Sequence, residues 1–220
     1  MKTLIIAPHP DDEVLGVGGT LLKRKFQGHK LAWVIITKPS EIINWSSSQI
    51  SKRESEIKEI SKKIGFDKVY QLGFPAASLT HETIPSLINS INNCIQEFLP
   101  DEIFLPHAGD VHSDHQIVHK AVVSSTKSFR NSNLKKLIVY ETLSETEYGL
   151  DKSKVFFPNL FVDISDFLDK KISLMKIYSS ELGEFPFPRS VESISSLAKY
   201  RGSSCNCLAA EAFEIIKQIE

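Results

Sequence analysis

The sequence has 220 residues, with 26 lysines and arginines against 27 aspartates and glutamates, and 41% of its residues are hydrophobic. This length suits one domain, and the balanced charge argues against a nucleic-acid partner, which usually needs a basic excess. The apolar run near the N-terminus, Leu4–Ala7, is too short for a secretion signal or a membrane span, so we expect a soluble, cytoplasmic protein.

Short apolar runs alternate with longer amphipathic segments along most of the chain. The apolar runs predict five strands, at Thr3–Ala7, Leu31–Thr37, Lys68–Phe74, Glu102–Pro106 and Lys136–Thr142. The segments between them predict four helices, at Val14–Phe26, Ser48–Ile64, Ile84–Phe98 and Asp114–Phe129. The less regular last third predicts a strand at Leu160–Ile164, a helix at Ser165–Leu182 and a strand at Ala210–Ile216. Because parallel neighbours need crossover helices, this order predicts an α/β fold: a single-domain, Rossmann-like open sheet, mainly parallel, with helices on both faces.

The three cysteines, Cys94, Cys205 and Cys207, are too few for a disulfide framework and are typical of a reducing cytoplasm. Cys205 and Cys207 are separated by one residue, but the second pair that would complete a cysteine metal site is missing. We therefore interpret these thiols as structural or incidental.

Ionisable side chains are concentrated directly after the first and the fourth predicted strands. The first group lies in Pro8–Glu13, and the second contains His107, Asp110, His112, Asp114 and His115. In an open doubly wound sheet, ligands bind beyond the carboxyl ends of the strands, where the strand order reverses. In the common orders this position brings strand one beside strand four, so the two groups are predicted to face one another across one crevice.

Three of these residues, His9, Asp12 and His115, have the composition of a catalytic zinc site. Such a site takes three protein ligands and leaves a position for water. His9 and Asp12 lie three residues apart on one turn, and His115 begins the helix after the second group. Two histidines and one carboxylate also suit Fe(II), so we expect zinc and leave iron or another divalent metal open.

Simpler interpretations of the same segments remain open. Asp11, Asp12 or Asp114 could serve only as helix N-caps, a common role for aspartate at such positions. The glycines within Gly16–Gly19 could form an anion-binding loop, although the two acidic residues ahead of them would repel phosphate.

The segments Ala7–Glu13 (APHPDDE) and His112–His115 (HSDH) resemble the LmbE-like, or PIG-L, deacetylases. That family includes zinc enzymes that remove acetyl groups from N-acetylglucosamine conjugates. Further family-like features extend the resemblance over most of the chain: Arg53-Glu54, Tyr140-Glu141, Phe161–Ile164 and Ala210–Phe213. The resemblance implies one deacetylase domain over residues 1–220. One departure is Ser113, which stands where the family usually has proline and should loosen the loop without removing a reacting group.

By this resemblance, His9, Asp12 and His115 match the zinc ligands, and Asp11 matches the general base. Zinc lowers the pKa of its water to about 7 and polarises a carbonyl oxygen. A carboxylate that is free of the metal can take the proton of the water and pass it to the leaving amine. The chemistry of amide hydrolysis therefore agrees with these assignments.

The resemblance also implies roles for three neighbouring residues. His112 matches a histidine that assists the tetrahedral intermediate, Asp114 the orienting partner of a histidine, and Arg53 an arginine that holds the substrate. Independently of the family, Trp45 lies in the loop Lys38–Ser47, whose Asn44 and three serines could line a sugar. The alternative is a polar surface loop with one half-buried tryptophan.

The function that follows is metal-dependent hydrolysis of the N-acetyl amide of an N-acetylglucosamine-type conjugate, which releases acetate and a free amine. Its partner would be a small amino sugar, while the aglycone and the oligomeric state stay open. One alternative is a related amidase that cleaves a larger acyl group. Another is a non-catalytic sugar- or nucleotide-binding module. Three loops, Ala76–Thr83, Leu143–Lys154 and Gly183–Ser190, are expected to shape the pocket.

Overall fold

A computed structural model describes residues 1–39 and 45–220 and contains one mixed sheet. Its strands are β1 (Lys2–Ala7), β2 (Lys30–Lys38), β3 (Lys68–Pro75), β4 (Glu102–Pro106), β5 (Lys136–Tyr140), β6 (Leu160–Asp163) and β7 (Ala210–Gln218). Their order is β3-β2-β1-β4-β5-β7-β6. The first five strands pair in parallel, whereas β7 runs antiparallel to β5 and β6. The predicted mainly parallel sheet is confirmed, and β1 does lie beside β4.

Six α-helices in the described part of the chain cover this sheet. They are α1 (Asp12–Phe26), α2 (Ser47–Ile64), α3 (Ile84–Phe98), α4 (Ser113–Ser125), α5 (Leu168–Met175) and α6 (Val191–Ser203), with a short 3₁₀ turn at His81–Thr83. None of the helices in the described residues is long and apolar enough to cross a bilayer.

The strands are buried on both faces because helices pack on both. In β1, Ile5 and Ala7 point to a core formed with α1, α2, α5 and α6. Leu4 and Ile6 point to the opposite core, formed with α3 and α4. This alternation follows from the two-residue period of a strand, and it explains why β1 reads as an uninterrupted apolar run.

Helix α4 ends at Ser125, so the prediction of a helix to Phe129 is wrong. The side chain of Asn131 donates to the carbonyl oxygen of Ser125 (2.7 Å) and satisfies an acceptor that another helical turn would have used. Phe129 is 79% exposed and contributes no buried contact that would favour a longer helix.

The region after β6 also differs from its prediction. Helix α5 stops at Met175 rather than continuing to Leu182, because the chain turns there and directs Tyr178 into the core. Helix α6 was not predicted. Its N-cap is Ser190, whose side chain accepts the amide of Ser193 (3.0 Å), and its buried residues recur at Ile194 and Ala198. The many serines between these positions hide the apolar period in the sequence.

Candidate active site

The two predicted groups of ionisable residues meet at the carboxyl edge of the sheet. The loop that holds His9 follows β1, and Asp12 is the first residue of α1. His115 lies in the first turn of α4, which follows β4. Because β1 and β4 pair directly, both segments open into the same crevice.

Three potential ligand atoms converge there. The Asp12 Oδ2 atom lies 3.4 Å from His9 Nδ1 and 3.4 Å from His115 Nε2. Zinc bonds to nitrogen and oxygen measure about 2.1 Å, which gives the edge of a tetrahedron as about 3.4 Å. All three atoms lie within 4.8 Å of one another. The spacing therefore fits one ion with three protein ligands.

The hydrogen bonds of the two histidines support the same assignment. His9 Nε2 lies 3.0 Å from a carboxylate oxygen of Asp114, and His115 Nδ1 lies 2.8 Å from one of Asp110. A carboxylate accepts, so these nitrogens donate, and the other nitrogen of each ring keeps its lone pair for a metal. His115 Nε2 is buried and has no hydrogen-bond partner, as expected of an atom that a cation would contact.

Within residues 1–39 and 45–220, a second trio is also close enough to hold an ion: His9, His112 and Asp114. The Asp114 carboxylate is already committed, since it accepts the amides of Ala77 (2.8 Å) and Leu79 (3.1 Å) as well as the His9 ring. Asp114 thus already accepts three hydrogen bonds, one of them from the His9 ring, and this favours the first trio as the ligand set.

Without an ion, protons bind where the metal would. Burial lowers the pKa of His9, but hydrogen bonds to Asp114 and Asp12 outweigh it and raise that pKa to about 9. Burial likewise disfavours ionised Asp12, yet the neighbouring His115 and His9 hold its pKa below the usual range. The trio therefore forms a compact charged cluster with a carboxylate at its centre.

Asp11 occupies the N-cap position of α1, but its side chain makes no capping hydrogen bond. Interpretation of Asp11 as a cap is therefore wrong, and its buried carboxyl group lines the crevice instead. Burial, followed by the nearby charges of Asp12 and Glu181, raises the pKa of Asp11 to about 7. A carboxyl group with such a pKa is suited to accept and return a proton near neutral pH.

The backbone of Asp11 is held in a strained conformation by Glu13. Asp11 has φ 146°, a region that side-chain-bearing residues rarely adopt. Its amide donates to Glu13 Oε2 (3.0 Å), while the hydroxyl of Tyr178 donates to Glu13 Oε1 (2.9 Å). Glu13 and Tyr178 are buried, so this chain of hydrogen bonds fixes the Asp11 backbone from below the crevice.

His112 caps helix α4 through its ring. Its Nδ1 accepts the amide of Asp114 (3.1 Å), and the ring lines the crevice with its centroid 4.5 Å from that of His9. Burial and the adjacent His9 and His115 lower the pKa of His112 to about 4. The ring is therefore neutral, with its hydrogen on Nε2, and this nitrogen is available to donate a hydrogen bond.

Arg53, predicted to hold substrate, lies in the wall of the crevice. Its guanidinium donates to the carbonyl oxygen of Pro10 (2.7 Å) and to Glu56 (2.8 Å), and it also pairs with Glu181. It stacks over the ring of Trp45, 5.3 Å from its centroid. These contacts hold the His9 loop in position. That Arg53 and Trp45 bind substrate stays a prediction. Asn44, predicted beside Trp45, lies outside the described residues.

Among the described residues, fifteen from six parts of the chain line the crevice: His9, Pro10, Asp11, Asp12, Thr37, Pro39, Trp45, Arg53, Ala76, Ala77, His112, Thr142, Glu145, Glu181 and Arg189. Each of the three loops expected to shape the pocket contributes at least one of them.

Sequence reasoning missed the contributions of Tyr178, Glu181 and Arg189. Tyr178 and Glu181 fall inside the segment predicted as one long helix, and Arg189 is isolated between prolines and serines. Arg189 reaches the carbonyl oxygen of Glu181 (3.0 Å) and the hydroxyl of Ser144 (3.2 Å). Their positions depend on the turn after α5, for which the local sequence carries no clear pattern.

Comparison with known proteins gives a consistent family. The sequence profile of the PIG-L family, described as GlcNAc-PI de-N-acetylase, matches residues 4–126. A probable N-acetyl-alpha-D-glucosaminyl L-malate deacetylase 2 of Bacillus cereus is 26% identical over 187 residues, with 81% of this chain and 82% of the relative covered. A diacetylchitobiose deacetylase of Thermococcus kodakarensis is 25% identical, with 99% of this chain and 84% of the relative covered.

The fold is shared with solved structures. The crystal structure of a conserved protein from Thermus thermophilus superposes with a TM-score of 0.79 and 26% identity. The superposition covers 99% of this chain and 96% of that one. The antiparallel strands and the helices after β5 are therefore part of the shared architecture.

Proposed function

We propose, because this chain belongs to the PIG-L family of de-N-acetylases, that it hydrolyses the N-acetyl amide of an N-acetylglucosamine-type conjugate. Water is consumed, the C–N bond of the amide breaks, and acetate and a free amine are released. The relatives named for acetylated amino sugars support this substrate class.

One observation carries the proposal more than any other. The three side chains that could hold a metal ion lie beside a buried carboxyl group, Asp11, whose side chain makes no capping hydrogen bond and does not belong to the trio. A sugar-binding module has no use for a proton acceptor at that position. Hydrolysis needs both a cation and a base, so the pair favours an enzyme.

His9, Asp12 and His115 would hold the ion, and zinc is our proposal for it because zinc accepts two histidines and one carboxylate in catalytic sites. When bound, the ion supplies Lewis-acid polarisation of the amide carbonyl and favours ionisation of water. Asp110 and Asp114 orient the two histidines through their second ring nitrogens.

The other residues act on protons and on developing charge. Asp11 accepts a proton from the attacking water at its carboxylate and returns it to the nitrogen of the leaving amine. His112 donates from Nε2 to the carbonyl oxygen, where negative charge develops. Arg53 keeps the carbonyl oxygen of Pro10, and with it the His9 loop, in place. Arg53 and Trp45 are also our proposed contacts for the sugar.

The experiment combines elemental analysis of the purified protein with an assay of acetate release. The substrate panel contains N-acetylated amino sugars and matched sugars that carry longer N-acyl groups. Asp11→Asn is the control, because it should keep the metal and lose turnover. Acetate release with about one metal ion per chain supports the proposal.

Two outcomes would favour the alternatives. Faster cleavage of the longer acyl groups would identify a related amidase with the same reacting groups. Binding of the sugars with no release of any acid, in protein loaded in turn with zinc and with Fe(II), would identify a non-catalytic module. Reconstitution with each metal also decides between zinc and iron as the more active ion.

We also propose a cytoplasmic location. The support is the small, odd number of cysteines, which argues against a disulfide framework and is typical of a reducing compartment. Fluorescence microscopy of a tagged chain together with cell fractionation tests this location.

A further inference from the structure

A short turn between α6 and β7 brings two thiols together on the protein surface. The sulfur atoms of Cys205 and Cys207 lie 3.4 Å apart. Cys205 is exposed and Cys207 is half-buried, whereas Cys94 is enclosed in the core. Neither surface cysteine lines the crevice of the proposed active site.

The backbone of the turn fixes this arrangement. The amides of Cys205 and Cys207 both donate to the carbonyl oxygen of Gly202, at 3.0 and 3.1 Å. Asn206 between them has φ 59°, the left-handed conformation that asparagine tolerates better than most residues. A Cβ atom at Gly202 would lie 2.7 Å from the carbonyl oxygen of Cys207, so only glycine allows the turn to close. The proximity of the sulfurs is thus built into the chain path.

A metal ion is a poor explanation for this pair. Structural zinc sites take four protein ligands. Among the residues that the structure describes, the clusters of three or more potential ligands lie only around His9, and none includes Cys205 or Cys207. Two sulfurs without further ligands suit covalent chemistry between themselves better than they suit metal binding.

We propose that Cys205 and Cys207 form a thiol modification site, which a low-molecular-weight disulfide oxidises to an intrachain disulfide. The thiolate of one cysteine attacks the small disulfide, so that a mixed disulfide forms and the first small thiol leaves. The other cysteine then attacks the protein sulfur of that mixed disulfide and releases the second small thiol. Two electrons pass from the protein to the small disulfide, and the two protein protons end on the released thiols.

The order of the two attacks follows from the surroundings of each sulfur. The exposed Cys205 is the accessible one and reacts first. Burial, and then contact with Cys205, raises the pKa of Cys207 to about 11, which makes Cys207 the poorer nucleophile towards a reagent in solution. The second step needs no such reagent, because Cys207 already lies beside its target.

The test treats the reduced full-length protein with glutathione disulfide and follows intact mass and thiol content. Wild type should lose two hydrogen atoms, retain no glutathione and lose both maleimide-reactive surface thiols. Proteolysis should yield one peptide in which Cys205 and Cys207 are linked. Cys94→Ser should behave in the same way, because Cys94 takes no part.

Cys207→Ser is the matched control, since it keeps the thiol that reacts first and lacks the resolving thiol. Cys205→Ser lacks the thiol that reacts first and should form little glutathione adduct. An intramolecular partner acts at an effective concentration on the order of mM or more. The glutathione adduct should therefore be at least about tenfold more abundant in Cys207→Ser than in wild type. Wild type that retains as much glutathione as Cys207→Ser, or that forms its disulfide through Cys94, would overturn the proposal. The linked peptide of wild type decides the question even if a serine variant misfolds.

Discussion

The parallel strands β1 to β5 and the antiparallel pair β6 and β7 serve the same crevice in different ways. The parallel region supplies the reacting groups from segments that directly follow a strand, as with His9 after β1 and His115 after β4. The later region supplies isolated side chains that hold those segments from outside, such as Tyr178 behind Glu13 and Glu211 against α1. The reacting groups thus come from the first region and the supporting side chains from the second. Substitutions in the first region should therefore change turnover or metal binding, and those in the second should mainly change stability or positioning.

The largest effects are expected in the first region, where the neighbouring residues Asp11 and Asp12 are proposed to have different roles. Asp11→Asn should keep its metal and lose turnover by about 10²–10⁴, because the proton acceptor is gone. Asp12→Asn should lose metal affinity, and its turnover should partly recover as the metal concentration is raised. Metal analysis and acetate release on both variants check this. The reverse pattern would exchange the two roles, and normal turnover in both would remove the mechanism.

A large effect on stability, rather than on chemistry, is expected in the second region. Lys171 is buried, pairs with Glu211 (2.6 Å) and donates to the carbonyl oxygen of Leu15 (2.7 Å). Lys171→Met should lower the free energy of unfolding by about 3–5 kcal/mol, because Glu211 is left buried without its partner. Urea unfolding measures the change, with the exposed Lys199→Met as the control.

Lys199→Met should change the free energy of unfolding by no more than about 0.5 kcal/mol. The folded fraction of Lys171→Met should still bind metal. If Lys171→Met were as stable as the control but depleted of metal, the second region would contribute to metal binding rather than to stability.

His112 has two tasks, and one substitution can tell them apart. His112→Ala should reduce kcat by about 10²–10³, as for the loss of one oxyanion donor, with metal content retained. His112→Asn should restore the cap, because asparagine accepts the amide of Asp114, but it should not restore kcat. Recovery of kcat in the asparagine variant would show that His112 acts only as the helix cap and not as an oxyanion donor. Loss of metal from either variant would favour the second ligand trio.

The smallest expected effect tests whether the second region reaches the chemistry at all. Tyr178→Phe removes the hydrogen bond to Glu13 and should lower kcat by about tenfold, with KM and metal content unchanged. The exposed Tyr200→Phe serves as the control and should have no effect. Equal kcat in the two variants would show that Glu13 holds Asp11 without help.

Local patterns in the sequence were sufficient to predict most strands and helices of the parallel region. Uninterrupted apolar runs located β1 and β4 to within a residue, and the group after each run contained the atoms that converge. The position of Tyr178 could not be predicted in the same way. Its burial results from a turn after α5 and from contact with Glu13, 165 residues earlier, and neither leaves a periodic pattern. Family resemblance suggested a role for Arg53 but not that its donors would already be shared among Pro10, Glu56 and Glu181.

The contact of Glu211 with α1 has a consequence for the order in which the protein acquires its structure during synthesis. The amides of Gly19 and Thr20 donate to the Glu211 carboxylate at 2.8 and 2.7 Å, across more than 190 residues of sequence. Helix α1 carries a proposed ligand, and it leaves the ribosome before β7, which carries this buried support. A nascent chain that has passed His115 contains every proposed ligand, yet α1 is not secured until β7 has been made.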